Sequence, residues 1–205
     1  METILSNRPY QTADEPRVSF DGNEYVAQKN QLIVCVSLVP RGKNLDPDIH
    51  RCFPAVVDTG YGGGLLLNEK THLAPWAGLS ALKHFRANSP TEKLLGKYFP
   101  RFEAQLRLHC AMSSHRCAPE ERSNLYAQSV RFKLDIGATI VLPAIPDRLK
   151  RETRNAELAA PPPHLQEWPL LPVLGMQFLK ANRLNLKVDT KTHTFTLEQF
   201  PFTNS

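Results

Sequence analysis

The chain has 205 residues, room for one good-sized domain, and 41% of them are hydrophobic, enough for a real core. The formal net charge is +5, and the basic residues are dispersed apart from a concentration at 148–154, which reads as a solvated loop or helix face ahead of a nucleic-acid site. No run approaches the ~18 consecutive apolar residues that span a bilayer, and the polar, acidic start lacks the order of a signal peptide, so a soluble cytoplasmic protein with no membrane partner is expected.

Residues 1–30 read as a polar lead-in with weak strand character near 23–28. The branched run 31–39 predicts a strand, ended by the turn Pro40-Arg41-Gly42. A polar loop then leads to a second, antiparallel strand over 52–58, and a short third strand follows the glycines at 64–68. In 69–86, Leu73, Trp76, Leu79, Leu82 and Phe85 recur every three residues, which predicts one apolar helix face, with Pro75 in the first turn. Residues 86–99 read as an exposed polar excursion. Runs 102–110 and 130–136 alternate as half-buried strands do, and 138–145 reads as a more buried one.

Residues 147–168, charged and then proline-rich, read as an excursion loop. The end, 170–200, reads as strand, glycine, short helix, strand, turn, strand. The expected fold class is therefore mainly β with one or two short helices, as a single domain over 31–200 with excursions at 69–101 and 147–168. Cys35 and Cys52 lie in apolar runs, where a thiol acts as a small hydrophobe. Cys110 and Cys117 share a segment with His109 and His115, but their spacing is not that of paired zinc-binding CxxC motifs, so no metal or other cofactor is expected.

The stretch 53–68 carries the candidate chemistry. An apolar run, Ala55-Val56-Val57, ends on Asp58, followed by Thr59, Gly60, Tyr61 and Gly62-Gly63-Gly64. A carboxylate at a strand end is costly to bury unless it is hydrogen-bonded. Thr59 offers a hydroxyl, and Gly60 is expected to let the backbone turn sharply and present N–H groups. The triplet is also an ordinary turn sequence. A second Asp-Thr pair, Asp189-Thr190, is followed by Lys191 and reads as a plain hairpin turn. The glycines are not a phosphate loop, because Leu65-Leu66-Leu67 follows them in place of Lys-Ser/Thr. No serine has a G-x-S-x-G context.

Asp58-Thr59-Gly60 has apolar residues on both sides, and 173-VLGMQFL-179 adds two apolar residues, a glycine and a short helix near the C-terminus. This pairing resembles the retropepsin-like (retroviral-type) aspartic peptidases, and Tyr61 before a glycine-rich step looks most like the prokaryotic single-domain members. The resemblance covers most of 31–198. It implies a half-barrel acid-protease fold, with Asp58, Thr59 and Gly60 as the catalytic triplet and Val57, Leu174 and Gly175 supporting its loop. It also implies a flap over 87–102, with Gly96 near the tip and Tyr98 or Phe99 as an apolar contact; an ordinary surface loop is the other reading of that segment.

Tyr61, Gly62, Gly96 and Tyr98 are the candidate substrate-binding residues, and Tyr61 either lines the cleft or packs beneath the loop. Aspartic peptidase chemistry needs two carboxylates that share a proton to activate water, and the chain has one such triplet. The resemblance therefore implies a homodimer that hydrolyses peptide or protein substrates, with the terminal strands as its usual dimer sheet. The alternatives are a binding or scaffold protein on the same fold, or a coincidental turn in an unrelated β domain.

Overall fold

Branched and aromatic residues fit a pleated, half-buried surface, and they supply most of the strands. The computed structural model describes residues 1–10, 12–13, 17–20, 22–40, 42–46, 50–77, 91–94, 97–109, 118–134, 138–141 and 169–201. Its strands are β1 (Glu2–Pro9), β2 (Arg17–Phe20), β3 (Asn23–Val26), β4 (Leu32–Pro40), β5 (Phe53–Val57), β6 (Leu65–Asn68), β7 (Thr91–Leu94), β8 (Lys97–Phe102), β9 (Ala104–His109), β10 (Val130–Lys133), β11 (Ala138–Val141), β12 (Val173–Leu174), β13 (Leu184–Asp189) and β14 (Thr194–Gln199). The α-helices are α1 (Ala74–Ala77), α2 (Pro119–Ala127) and α3 (Met176–Ala181). The protein is mainly β, as expected, and its large sheet curls into a half-barrel. No helix among the described residues is long and apolar enough to cross a membrane.

The large sheet runs β10-β9-β4-β5-β12-β6-β11-β8-β7. β4 and β5 are consecutive antiparallel neighbours, as the sequence predicts. Side chains two apart share a face, and the main core follows that rule. Val34, Val36 and Leu38 of β4 meet Phe53, Ala55 and Val57 of β5, together with Leu106 and Leu108 of β9 and Phe178 of α3. The alternate residues of β4, Cys35 and Ser37, are just as buried but lie on the opposite face.

A second sheet, β1-β14-β13, puts β14 in the middle and sends Phe195 and Leu197 into the main core. The first thirty residues thus hold β1, β2 and β3, more order than a polar lead-in implies. β1 is hard to read because its register with β14 shifts between Thr3 and Leu5 and again before Arg8. A bulge breaks the two-residue period, so the adjacent Ile4 and Leu5 are both buried.

The helix expected over 69–86 is a π-helical turn at Glu69–Leu73 followed by α1, and 78–90 lie outside the described residues. Asn68 caps the turn: its Oδ1 accepts from the N–H groups of Lys70 and Thr71 at 3.0 and 3.2 Å. The exposed excursion expected over 86–99 is corrected in its second half. β7 and β8 pair as a hairpin, and β8 joins the large sheet through β11. Phe99, at 4% exposure, packs with Leu66 and Val141. Polar neighbours on β7 and β8 hide this anchoring in the sequence.

Helix α2 was not expected, because its sequence PEERSNLYA has no clear apolar face. Its start does carry helix signals: Pro119 in the first turn, acidic Glu120 and Glu121, and a Glu121 carboxylate that accepts from the Ala118 N–H at 3.1 Å. The segments 110–117, 142–168 and 202–205 lie outside the described residues, and with them Cys110, Cys117 and the predicted 147–168 loop.

One side chain ties α3 to the sheet. Asn182 is 2% exposed; its Oδ1 accepts from Lys133 N–H at 2.8 Å, and its Nδ2 donates to the carbonyls of Lys133 and Phe178, both at 2.9 Å. Asn182→Ala removes both partners from the Lys133 N–H and carbonyl, while Phe178 carbonyl keeps the residue 182 N–H at 3.2 Å; it is expected to lower stability by about 2 kcal/mol in urea unfolding, whereas Lys180→Ala on the exposed side of α3 changes it by less than about 0.5 kcal/mol.

Candidate functional site

The site begins where β5 ends. Val57 is buried in the core, and the next residue, Asp58, is exposed. The loop 58–64 carries the chain from β5 to β6, and the short strand β12 lies between those two strands. It runs parallel to β5, pairing Val173 with Val56 and Leu174 with Val57, and antiparallel to β6. Asp58 N–H donates to the Leu174 carbonyl at 2.9 Å and Val56 N–H to the Pro172 carbonyl at 2.8 Å.

The loop is then held from behind by the start of α3. The first N–H groups of a helix have no partner within it. Here Gly175 N–H donates to Gly64 carbonyl at 2.8 Å, Met176 N–H to Tyr61 carbonyl at 2.8 Å, and Gln177 N–H to Gly63 carbonyl at 3.0 Å. The close approach requires glycine at 175: a Cβ there would sit 2.4 Å from the carbonyl oxygens of both Gly63 and Tyr61, and 2.6 Å from Tyr61 Cδ1. The segments 56–61 and 173–177, distant in sequence, therefore form one unit.

Within the loop, Asp58 Oδ1 accepts from Gly60 N–H at 2.8 Å, and the Asp58 carbonyl from Tyr61 N–H at 3.3 Å. Gly60 does not act through left-handed backbone; among the described glycines only Gly22 and Gly42 have positive φ. Its contribution is space, because a Cβ at 60 would lie 3.1 Å from Asp58 Oδ1. Thr59 and Gly62 are both exposed, and a Cβ on Gly62 would meet nothing within 4 Å. Tyr61 is partly buried: its ring covers Gly175 and packs with the cluster of Leu66, Phe99 and Val141. Of the two placements open for it, the ring takes the one beneath the loop.

Tyr98 is on β8, and Gly96 lies outside the described residues, between the paired ends Leu94 and Lys97 of the hairpin. Asp189 forms the expected hairpin turn between β13 and β14, its Oδ1 accepting from Lys191 and Thr192 N–H. Those two bonds, Lys191's first, lower its carboxyl pKa. Among the described residues no group of His, Cys, Asp or Glu side chains is placed to hold a metal ion.

Sequence reading missed a latch behind the site. His72 is 1% exposed. Its Nδ1 accepts from Asn68 N–H at 3.0 Å, and its Nε2 lies 3.1 Å from the Leu170 carbonyl. Nδ1 accepts, so Nε2 carries the proton and donates. The ring thereby ties the end of β6 to the approach to β12. Burial drives its pKa down to about 4, against a smaller upward pull from the Leu170 bond. The sequence does not mark this role, because these two bonds go to backbone groups, of Asn68 four residues earlier and of Leu170 far along the chain.

Comparison with known proteins adds no relative: no family model matches the chain, and neither a curated protein nor a solved structure matches it.

Two predictions follow from the geometry. Gly175→Ala forces a methyl group onto two carbonyls and an aromatic ring, and should cost about 3 kcal/mol or more, at the upper end of overpacking; urea unfolding reads the loss, and Gly62→Ala in open space should cost less than about 1 kcal/mol. His72 binds its proton more readily unfolded than folded. Its contribution is therefore complete above the unfolded pKa of 6.5 and is lost as pH falls towards about 4. Stability should drop by up to about 3 kcal/mol across that window, and His72→Gln should flatten this part of the pH profile.

Proposed function

We propose that the chain is an aspartic endopeptidase of retropepsin type, acting in the cytoplasm as a homodimer. The observation that carries this reading is the interlock of the Asp58 loop with β12 and Gly175: the two motifs of the resemblance are hydrogen-bonded to each other. A coincidental Asp-Thr-Gly turn has no need of a glycine crossing behind it. Asp189 makes the contrast, with similar local hydrogen bonds but no crossing strand among the described residues.

The chemistry is hydrolysis by an activated water. Asp58 and the same residue of a second copy would share one proton, because like charges a few Å apart do not both ionise readily. The ionised carboxylate takes a proton from water as it attacks the scissile carbonyl, and the protonated one donates to the carbonyl oxygen. Exposed Asp58 and Thr59, and the open space at Gly62, leave room for the second loop. Thr59 would bond across the two-fold axis. An extended peptide would add as a strand between the Asp58 loops and the β7–β8 hairpin, near Gly62. β14 is already paired on both sides by β1 and β13, so the terminal sheet offers a second copy only its outer edges.

The test combines sizing with cleavage. Light scattering should give twice the chain mass, and a peptide library should be cut in a pepstatin-sensitive manner between acid and neutral pH. Asp58→Asn should reduce cleavage to background while leaving the unfolding free energy in urea within about 0.5 kcal/mol, as surface substitutions do. A purified dimer inert over that range, or cleavage by a strict monomer, would sink the reading.

A further inference from the structure

The face of the large sheet opposite the main core carries a second cluster of reactive side chains, unrelated to Asp58. β4 places Cys35 and Ser37 on that face. β9 sets His109 directly opposite Cys35, while on the other side Cys35 pairs with Pro54, two residues after Cys52. Alternation along neighbouring strands thus gathers two thiols, a hydroxyl and an imidazole. Helix α2 covers them: the Tyr126 ring lies against His109 with centroids 4.7 Å apart, and its hydroxyl donates to the His50 carbonyl at 2.8 Å.

The hydrogen bonds give each member a direction. Cys35 donates its S–H to Cys52 Sγ across 3.0 Å. Ser37 Oγ donates to the Arg51 carbonyl at 3.1 Å and lies 2.9 Å from His109 Nε2. A hydroxyl has one proton to give, so Ser37 accepts from Nε2–H. Nδ1 of His109 is buried without a hydrogen-bond partner among the described residues. Cys35 is buried and Cys52 partly exposed, and no disulfide joins them.

We propose that Cys35 and Cys52 form a hydroperoxide-reactive modification site, in which Cys52 is the attacking thiol and Cys35 the resolving one, closing reversibly to a disulfide. Exposure and the direction of the S–H bond assign the roles. Burial opposes ionisation of Cys52, but the S–H it accepts from Cys35 and the neighbouring His109 and Ser37 side chains outweigh it and bring the pKa down to about 6. The thiolate is the nucleophile. It attacks one oxygen of the hydroperoxide, the O–O bond breaks, and Cys52 becomes a sulfenic acid while the leaving alkoxide or hydroxide takes up the proton that Cys52 gave away. Cys35 sulfur then attacks Cys52 sulfur, the S–O bond breaks, and water leaves with the Cys35 proton. Two thiols lose two electrons in all, and the hydroperoxide is reduced by two. The sulfurs need to close from 3.0 Å to about 2.05 Å. The product cross-links β4 to the entry of β5, whose far end leads into Asp58.

The experiment treats the reduced full-length chain with hydrogen peroxide, blocks remaining thiols after denaturation, and maps peptides by mass spectrometry. A peptide linking Cys35 to Cys52, lost on treatment with a dithiol, is the expected result. Cys35→Ala should leave a sulfenic acid on Cys52 that a dimedone probe captures, and Cys52→Ala should slow oxidation of Cys35 at least ~10-fold. The wild-type map is decisive even where a variant does not fold. Both thiols remaining blockable after peroxide, Cys52 pairing instead with Cys110 or Cys117, or Cys35 oxidising at an unchanged rate without Cys52 would overturn the proposal. Thiol mapping does not depend on whether Asp58 is catalytic.

Discussion

The loop that presents Asp58 is held almost entirely by backbone, and that is possible only because residue 175 has no side chain. Three consecutive N–H groups, from Gly175 to Gln177, reach the carbonyls of Gly64, Tyr61 and Gly63. Each would otherwise be an orphan donor or acceptor near the core. A methyl group at 175 would overlap two of those carbonyls, so a single steric constraint controls the whole set of bonds. The consequence reaches forward to Asp58, whose own N–H is fixed by Leu174 carbonyl. The carboxylate is thus exposed on a backbone that is not free to move.

The surrounding sheet performs two tasks on its two faces. On one, Val36, Phe53, Leu65, Leu106 and Leu174 form a dry core, all at 1% exposure or less. On the other, Cys35, Ser37 and His109 are equally buried but polar. Buried polar groups are costly unless bonded, and the Ser37–His109 and Ser37–Arg51 bonds offset much of that cost. Strand alternation keeps the two environments separate, with one residue in each pair serving the core and the next serving the cluster under α2.

Legibility in the sequence depended on whether a feature is local. β4, β5 and β6 could be read because they are unbroken apolar runs bounded by turn residues. The Gly175 motif could be read because an apolar pair, a glycine and a helix follow one another directly. β1 could not, since its bulges place Ile4 and Leu5 both inside. α2 could not, because its PEERSNLYA sequence has no clear apolar stripe. Phe99 looked like part of an exposed loop because its burial comes from Leu66 and Val141, on other strands. The same holds for the thiol cluster: Cys52 and Cys35 read singly as small hydrophobes, and His109 becomes relevant only once register puts it opposite Cys35. Tyr61, the one large side chain in the glycine loop, is accounted for by Gly175, over which its ring lies.

His72 connects the fold to the proposed chemistry in a way the loop alone does not. On the proposed reading, the carboxylate pair works while one group is protonated and the other ionised. The latch that fixes the approach to β12 needs His72 neutral, because a protonated ring has no lone pair left to accept from Asn68 N–H. Below the range in which His72 stays neutral, the approach to β12 loses this tie to the end of β6, and the β12–β6 ladder is left to hold the strand. On the proposed reading, acid acts on the scaffold behind the site as well as on the ionised carboxylate that must take a proton from water.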